Sequence, residues 1–314
     1  MPLTRRSLFT AGAVAGGTLL LPVPRASAEP RFDGWPDWLG AHRDDVALVV
    51  DDGRGGRISH RPHAPQPLAA AAMIEHLAAY REVRPEGRVT VGDWERYLPG
   101  QDHGAALAHL GITSGNGVTA DDPHALVTLD DLAGVMIRFG DTAAADLLRD
   151  RLGRPGLPSF LTERLRLVLR RPVSAQEYLA DPRLQLEVIG RSPDVPGYAG
   201  RADWARDTWP GTAAAVDRTH RLLAGDALLE AGHAVPPKMA GIGVADIGRL
   251  GGALPGIVTL GVTVRWPDGR LGSATLLTRG VDEARYADRG ALPDLLTRVL
   301  LDAAVLGELR DRLS

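Results

Sequence analysis

Leu250-Gly251-Gly252-Ala253-Leu254-Pro255-Gly256, continuing from Ile257 to Trp266, through Pro267-Asp268-Gly269-Arg270 and on to Thr278, is the stretch on which the fold turns. Two runs rich in β-branched residues, joined by Pro-Asp-Gly, predict a β-hairpin. A matching pattern stands near the other end of the chain. There Val46-Ala47-Leu48-Val49-Val50 is an apolar run of strand length, Asp52-Gly53-Arg54-Gly55-Gly56 is turn chemistry, and a return strand is predicted near Arg57–His60. Trp35, Trp38, Leu39 and His42 have the spacing of a short amphipathic helix ahead of the first hairpin. Leu292 to Leu313 reads as one closing amphipathic helix after the second. Two distant hairpins, each beside a terminal helix, predict one antiparallel sheet built from both ends of the chain.

Between the hairpins, Pro62, Pro65 and Pro67 mark a loop, and Leu68 to Tyr80 is Ala-rich and helical in character. Helices dominate from there to about Gly248, notably over 129–139, 142–152, 160–169 and 213–223. The expected fold class is α+β: a three-layer sandwich, with an antiparallel sheet carrying helices on both faces, plus an all-α subdomain. The sheet part is expected over about 35–67 and 249–314, and the all-α subdomain over about 68–248.

The 314 residues contain no cysteine, which excludes a disulfide scaffold, a thiolate zinc site, a cysteine nucleophile and a cysteine-ligated iron–sulfur centre. With 44% hydrophobic and 24% charged residues the composition is that of an ordinary globular protein. The 36 basic residues against 39 acidic ones, net −3, provide no broad basic surface for nucleic acid. Of those basic residues only Lys238 is lysine.

Thr4-Arg5-Arg6-Ser7-Leu8-Phe9, an apolar Gly/Ala-rich run from Ala11 to Leu21, and Ala26-Ser27-Ala28 ahead of Glu29 together read as a twin-arginine signal peptide over residues 1–28. The run is shorter than the roughly 20 residues of a membrane span and is broken by Pro22 and Pro24. The expectation is export to the cell envelope or beyond, with no transmembrane segment left after cleavage.

Three local patterns carry a resemblance. The first is Pro67-Leu68-Ala69-Ala70-Ala71-Ala72-Met73-Ile74-Glu75-His76-Leu77-Ala78-Ala79-Tyr80. The second runs from Val127-Thr128-Leu129-Asp130-Asp131-Leu132 through Met136-Ile137-Arg138-Phe139-Gly140-Asp141-Thr142-Ala143-Ala144 to Leu152-Gly153. The third is the Leu250–Gly256 stretch quoted above. In order and spacing these resemble the nucleophile helix, the Ser-Asp-Asn segment and the Lys-Thr-Gly strand of the class A serine β-lactamase and penicillin-recognising family.

The resemblance implies a serine at the start of a helix, where the helix dipole favours developing negative charge, and a lysine one turn on that helps take its proton. Those positions fall on Ala70 and Met73. The Ser-Asp-Asn segment falls on Gly140, Asp141 and Thr142, which keeps only the aspartate, whose implied role is largely structural. The Lys-Thr-Gly positions fall on Leu250, Gly251 and Gly252. No other register restores a Ser-x-x-Lys motif, because three residues before Lys238 stands Val235. A general exchange of lysine for arginine would leave arginine at 73 and 250, and both are apolar. Arg249 neighbours Leu250, but adjacent strand residues face opposite sides. Glu177, in Ser174-Ala175-Gln176-Glu177-Tyr178-Leu179, stands at about the distance of the family's deacylating glutamate, and an exposed structural glutamate is the competing reading.

The expectation is a non-hydrolytic pseudoenzyme with an apolar cleft lined by Ala70, Met73 and Leu250, without cofactor or metal, which binds a β-lactam or peptidoglycan-like ligand or an envelope protein. The alternatives are a hydrolase or transferase rebuilt on Asp141, Glu177 or a histidine, and a structural protein with no small-molecule ligand. Nine histidines occur. His60-x-x-His63 lies in a Pro-rich loop and no His-Glu-x-x-His is present, so neither reads as a metal motif. His76 reads as a packed helix residue. Asp102 is the candidate partner of His103, and Ser114 lacks the Gly-x-Ser-x-Gly elbow of α/β-hydrolases.

Overall fold

Gly256, at φ 79°, closes a tight turn between the strands Asp246–Leu254 and Ile257–Arg265, and Leu254 pairs with Ile257 across it. That left-handed conformation suits glycine. The computed structural model describes residues 34–100, 102–191, 195–230 and 235–314. The signal-peptide reading over 1–28 lies outside them. Both predicted hairpins form: Val46–Asp51 pairs with Arg57–His60, and Ile257–Arg265 with Leu271–Thr278. They join where Val46 pairs with Thr278 and Asp51 with Ser273, so the two ends of the chain share one five-stranded antiparallel sheet. The 246–254 strand lies at its edge.

The chain forms two compact units, Glu75–Arg201 and the remainder of the described residues. In the sheet unit, strand alternation sorts the side chains by face. On one face Leu48, Val258, Val262 and Leu276 enter an apolar core with Trp35, Leu295 and Val299. The opposite face presents Thr259, Gly261, Thr263, Ser273 and Thr275, all buried, and the helix Ala213–Leu222 packs on this face. Helices therefore cover both faces of the sheet, as an α+β sandwich requires.

Two boundaries differ from the sequence reading. The predicted closing helix is two, Leu292–Leu301 and Ala303–Leu313, because Asp302 turns extended and its carboxylate caps the second helix by accepting from the Ala304 N–H at 2.9 Å. The helical unit ends at Arg201 rather than near Gly248. The 213–222 helix buries Ala213, Val216, Asp217 and His220 against the sheet. Helical periodicity reveals that a face is buried, but not which partner buries it.

The helical unit owes its boundaries to caps. Leu129–Phe139 begins with a reciprocal capping box between Thr128 and Asp131 and stops at Gly140, left-handed at φ 60°. Thr142–Arg151 is capped by Asp141 and Phe160–Leu169 by Ser159. A separate core of Leu161, Leu165, Val168, Tyr178 and Val188 holds the later helices together. No helix among the described residues is long and apolar enough to cross a membrane.

Candidate functional site

Ala69–Ala72 forms a 3-10 turn, and the α-helix Met73–Val83 follows it. Ala69 is left-handed at φ 46°, a conformation that costs an L-residue roughly 1–2 kcal/mol, so the backbone is strained immediately before Ala70. Ala70 itself is half-buried and has no atom able to attack a carbonyl. The edge strand passes close beside it. A Cβ placed on Gly252 would come 2.5 Å from the Ala70 Cβ and 2.3 Å from its nitrogen, so only glycine fits there. Thr259 Oγ1 donates to the Leu68 carbonyl at 2.8 Å and ties the start of the turn to the sheet.

Met73 and Leu250 are buried, at 0% and 4% exposure. A fully buried side chain at 73 completes the packing of the helix start. At Gly251 an added Cβ would meet the Thr259 carbonyl oxygen at 2.5 Å, so a threonine would require the strand pair to move. Arg249 faces the other way, as alternation requires: its Nη2 donates to Thr297 Oγ1 at 3.1 Å on the 292–301 helix. Burial lowers its guanidinium below the usual arginine range. Its charge is therefore committed to the opposite face of the sheet from Leu250.

In the helical unit, Gly140, Asp141 and Thr142 form the junction between two helices. A serine at Gly140 would have to hold its left-handed conformation. Asp141 is 2% exposed and fully engaged. One oxygen accepts from the Ala144 N–H at 2.7 Å and from Trp94 Nε1 at 3.1 Å; the other is 2.7 Å from His103 Nδ1. On its far side His103 Nε2 lies 3.5 Å from Glu95, which accepts the Ala120 N–H. Burial opposes the charged imidazole, but Asp141 and Glu95 outweigh it and raise His103 to about 9. The partner of His103 is therefore Asp141, 38 residues away, and not its neighbour Asp102. Sequence reasoning missed this group because nothing local links Glu95, His103 and Asp141.

Glu177 is exposed and caps its own helix. Its Oε2 accepts from the Ser174 N–H and from the Ser174 hydroxyl, both at 2.8 Å, and these bonds hold its carboxyl below the usual glutamate range. His76 is a packed helix residue with Nε2 3.0 Å from the Pro158 carbonyl oxygen. Within the sheet unit, then, Ala70 and Gly252 meet, with Met73 and Leu250 buried. Within the helical unit, Gly140, Asp141 and Thr142 are contiguous, and Glu177 stands on a separate helix.

Among solved structures, the chain is similar to an engineered variant of the last common ancestor of Gram-negative class A β-lactamases. The identity is 20%, the TM-score 0.48, and the match covers 88% of this chain and 99% of that one. It is similar to a β-lactamase from Sphaerobacter thermophilus DSM 20745, at 16% identity and TM-score 0.48, over 88% of this chain and 98% of that one. It is also similar to PBP-A, at 13% identity and TM-score 0.47, over 91% and 100%. No protein-family model and no curated protein matches the chain.

Proposed function

We propose that this chain is an exported binding protein on a β-lactamase-like scaffold that no longer forms an acyl-enzyme. One observation carries the reading: Ala70, to which the resemblance assigns the nucleophile's place, is an alanine packed against Gly252, and Met73 and Leu250, to which it assigns the two lysines, are apolar and buried. Covalent catalysis needs a nucleophile and a group to take its proton. A methyl group and a thioether provide neither. A chemistry rebuilt on Asp141 or Glu177 is disfavoured by their engagements, since Asp141 caps a helix and pairs with His103, and Glu177 caps its own helix.

The function left to such a scaffold is recognition, of a β-lactam or peptidoglycan-like molecule or of an envelope protein. Purified mature protein incubated with a fluorescent penicillin and a chromogenic cephalosporin tests the loss of chemistry. Neither a labelled band nor turnover is expected, and either one would overturn the reading. Saturable thermal-shift stabilisation by peptidoglycan fragments would identify the small-molecule class, and its absence would favour a protein partner.

A further inference from the structure

Helix Ala213–Leu222 covers the polar face of the sheet with a thin apolar footprint, chiefly Ala213 and Val216. The opposite face is covered through Leu292, Leu295, Leu296, Val299 and Leu300. What holds the 213–222 helix is largely polar. Arg221 Nη1 donates to Ser273 Oγ at 3.0 Å, Thr275 Oγ1 donates to Asp217 Oδ1 at 3.3 Å, and Ser273 also hydrogen-bonds Asp217. His220 lies in the same layer at 0% exposure, and neither ring nitrogen has a hydrogen-bond partner among the described residues. Its seat exists because residue 261 is glycine: a Cβ there would lie 2.0 Å from His220 Nε2.

We propose that His220 makes the 213–222 helix an acid-released cover of the sheet. The neutral imidazole leaves one N–H without a partner in its seat, whereas the imidazolium leaves two and buries an unpaired charge. The charged groups around the seat are already engaged. On the helix itself, Asp217 accepts from Ser273 and Thr275, and Arg221 lies 3.8 Å from Asp51 of the first strand. Thr275, the register partner of Gly261, presents a hydroxyl on this face. On the Gly261 strand, Arg265 is bound to Asp246 and stands 3.8 Å from Glu230.

Burial lowers His220 to about 4. The released helix, with an ordinary histidine near 6.5, therefore takes up the proton first as pH falls, and stability is lost between 6.5 and 4. Linkage then raises the opening constant on the order of 30-fold between pH 7.5 and pH 5. Asp217, raised by burial, acts in the opposite direction on acidification, so a His220 variant is needed to isolate the effect.

Hydrogen exchange of the full mature chain, corrected for intrinsic rates, reads this directly. Between pH 7.5 and 5, amides of 213–222 should lose protection by up to about 30-fold, less the opposing response of Asp217, while those of 257–278 and 292–301 change far less. His220→Phe should abolish this loss and leave only the opposite response of Asp217, and His220→Met serves the same purpose if the phenylalanine variant does not fold. The same pH response of 213–222 in the wild type and the His220 variants, or equal loss across the whole sheet unit, would overturn the proposal.

Discussion

His103 and Asp141 meet at 2.7 Å inside the helical unit, and that bond sets how the unit answers pH. A histidine raised to about 9 contributes stability that is fully present below its unfolded value near 6.5 and is lost as pH rises through 9. Asp146, fully buried and pushed up to about 7 by burial, has the same sign: its contribution is greatest below its ordinary 3.8 and fades as pH rises through 7. Denaturant titrations from pH 6 to 9.5 should therefore show the helical unit weakening. His103→Gln should be less stable at pH 6 and have a flatter slope above it. Asp141→Asn, which leaves a buried imidazolium short of its counter-charge, should cost about 3–5 kcal/mol. An unchanged unfolding midpoint in either variant would contradict the account. None of this could be read from the sequence, since the three groups are joined only by the fold. By contrast, the absence of a nucleophile at Ala70 was plain from residue identity alone.

Helices and strands were legible where their signals are local. The capping box at Thr128 and Asp131, the Gly140 stop and the Ser159 cap all lie within a few residues of the boundaries they set. Thr128→Ala should cost about 1 kcal/mol by removing one half of that box. Thermal unfolding checks it. The break at Asp302 was not legible, because one aspartate in an amphipathic run leaves the period intact. Nor was the depth of Met73. Its environment decides what a charge there would cost: Met73→Lys places an ammonium at a site of 0% exposure, and Leu250→Lys does so at 4%. Both variants should lower the melting temperature, in contrast to Ala70→Ser at a half-buried position, which should fold normally. A Met73→Lys protein as stable as the wild type would show that this site accommodates charge.

At the scale of the whole molecule, the sheet assembled from both chain ends followed from two hairpins and two terminal helices, and the fifth strand extends it. The extent of the helical unit did not follow, because the 213–222 helix joins the sheet through a polar layer that periodicity does not reveal. Export is tested independently of the fold. Replacing Arg5 and Arg6 by lysine should hold the protein inside the cell, and the wild-type exported protein should begin near Glu29; secretion unaffected by the double replacement would remove the export reading. Loss of acylation is tested by intact-mass spectrometry of the mature protein after prolonged incubation with excess benzylpenicillin. A single species at the unmodified mass is expected, and an added acyl mass that maps to a residue of this chain would overturn the proposed loss of chemistry.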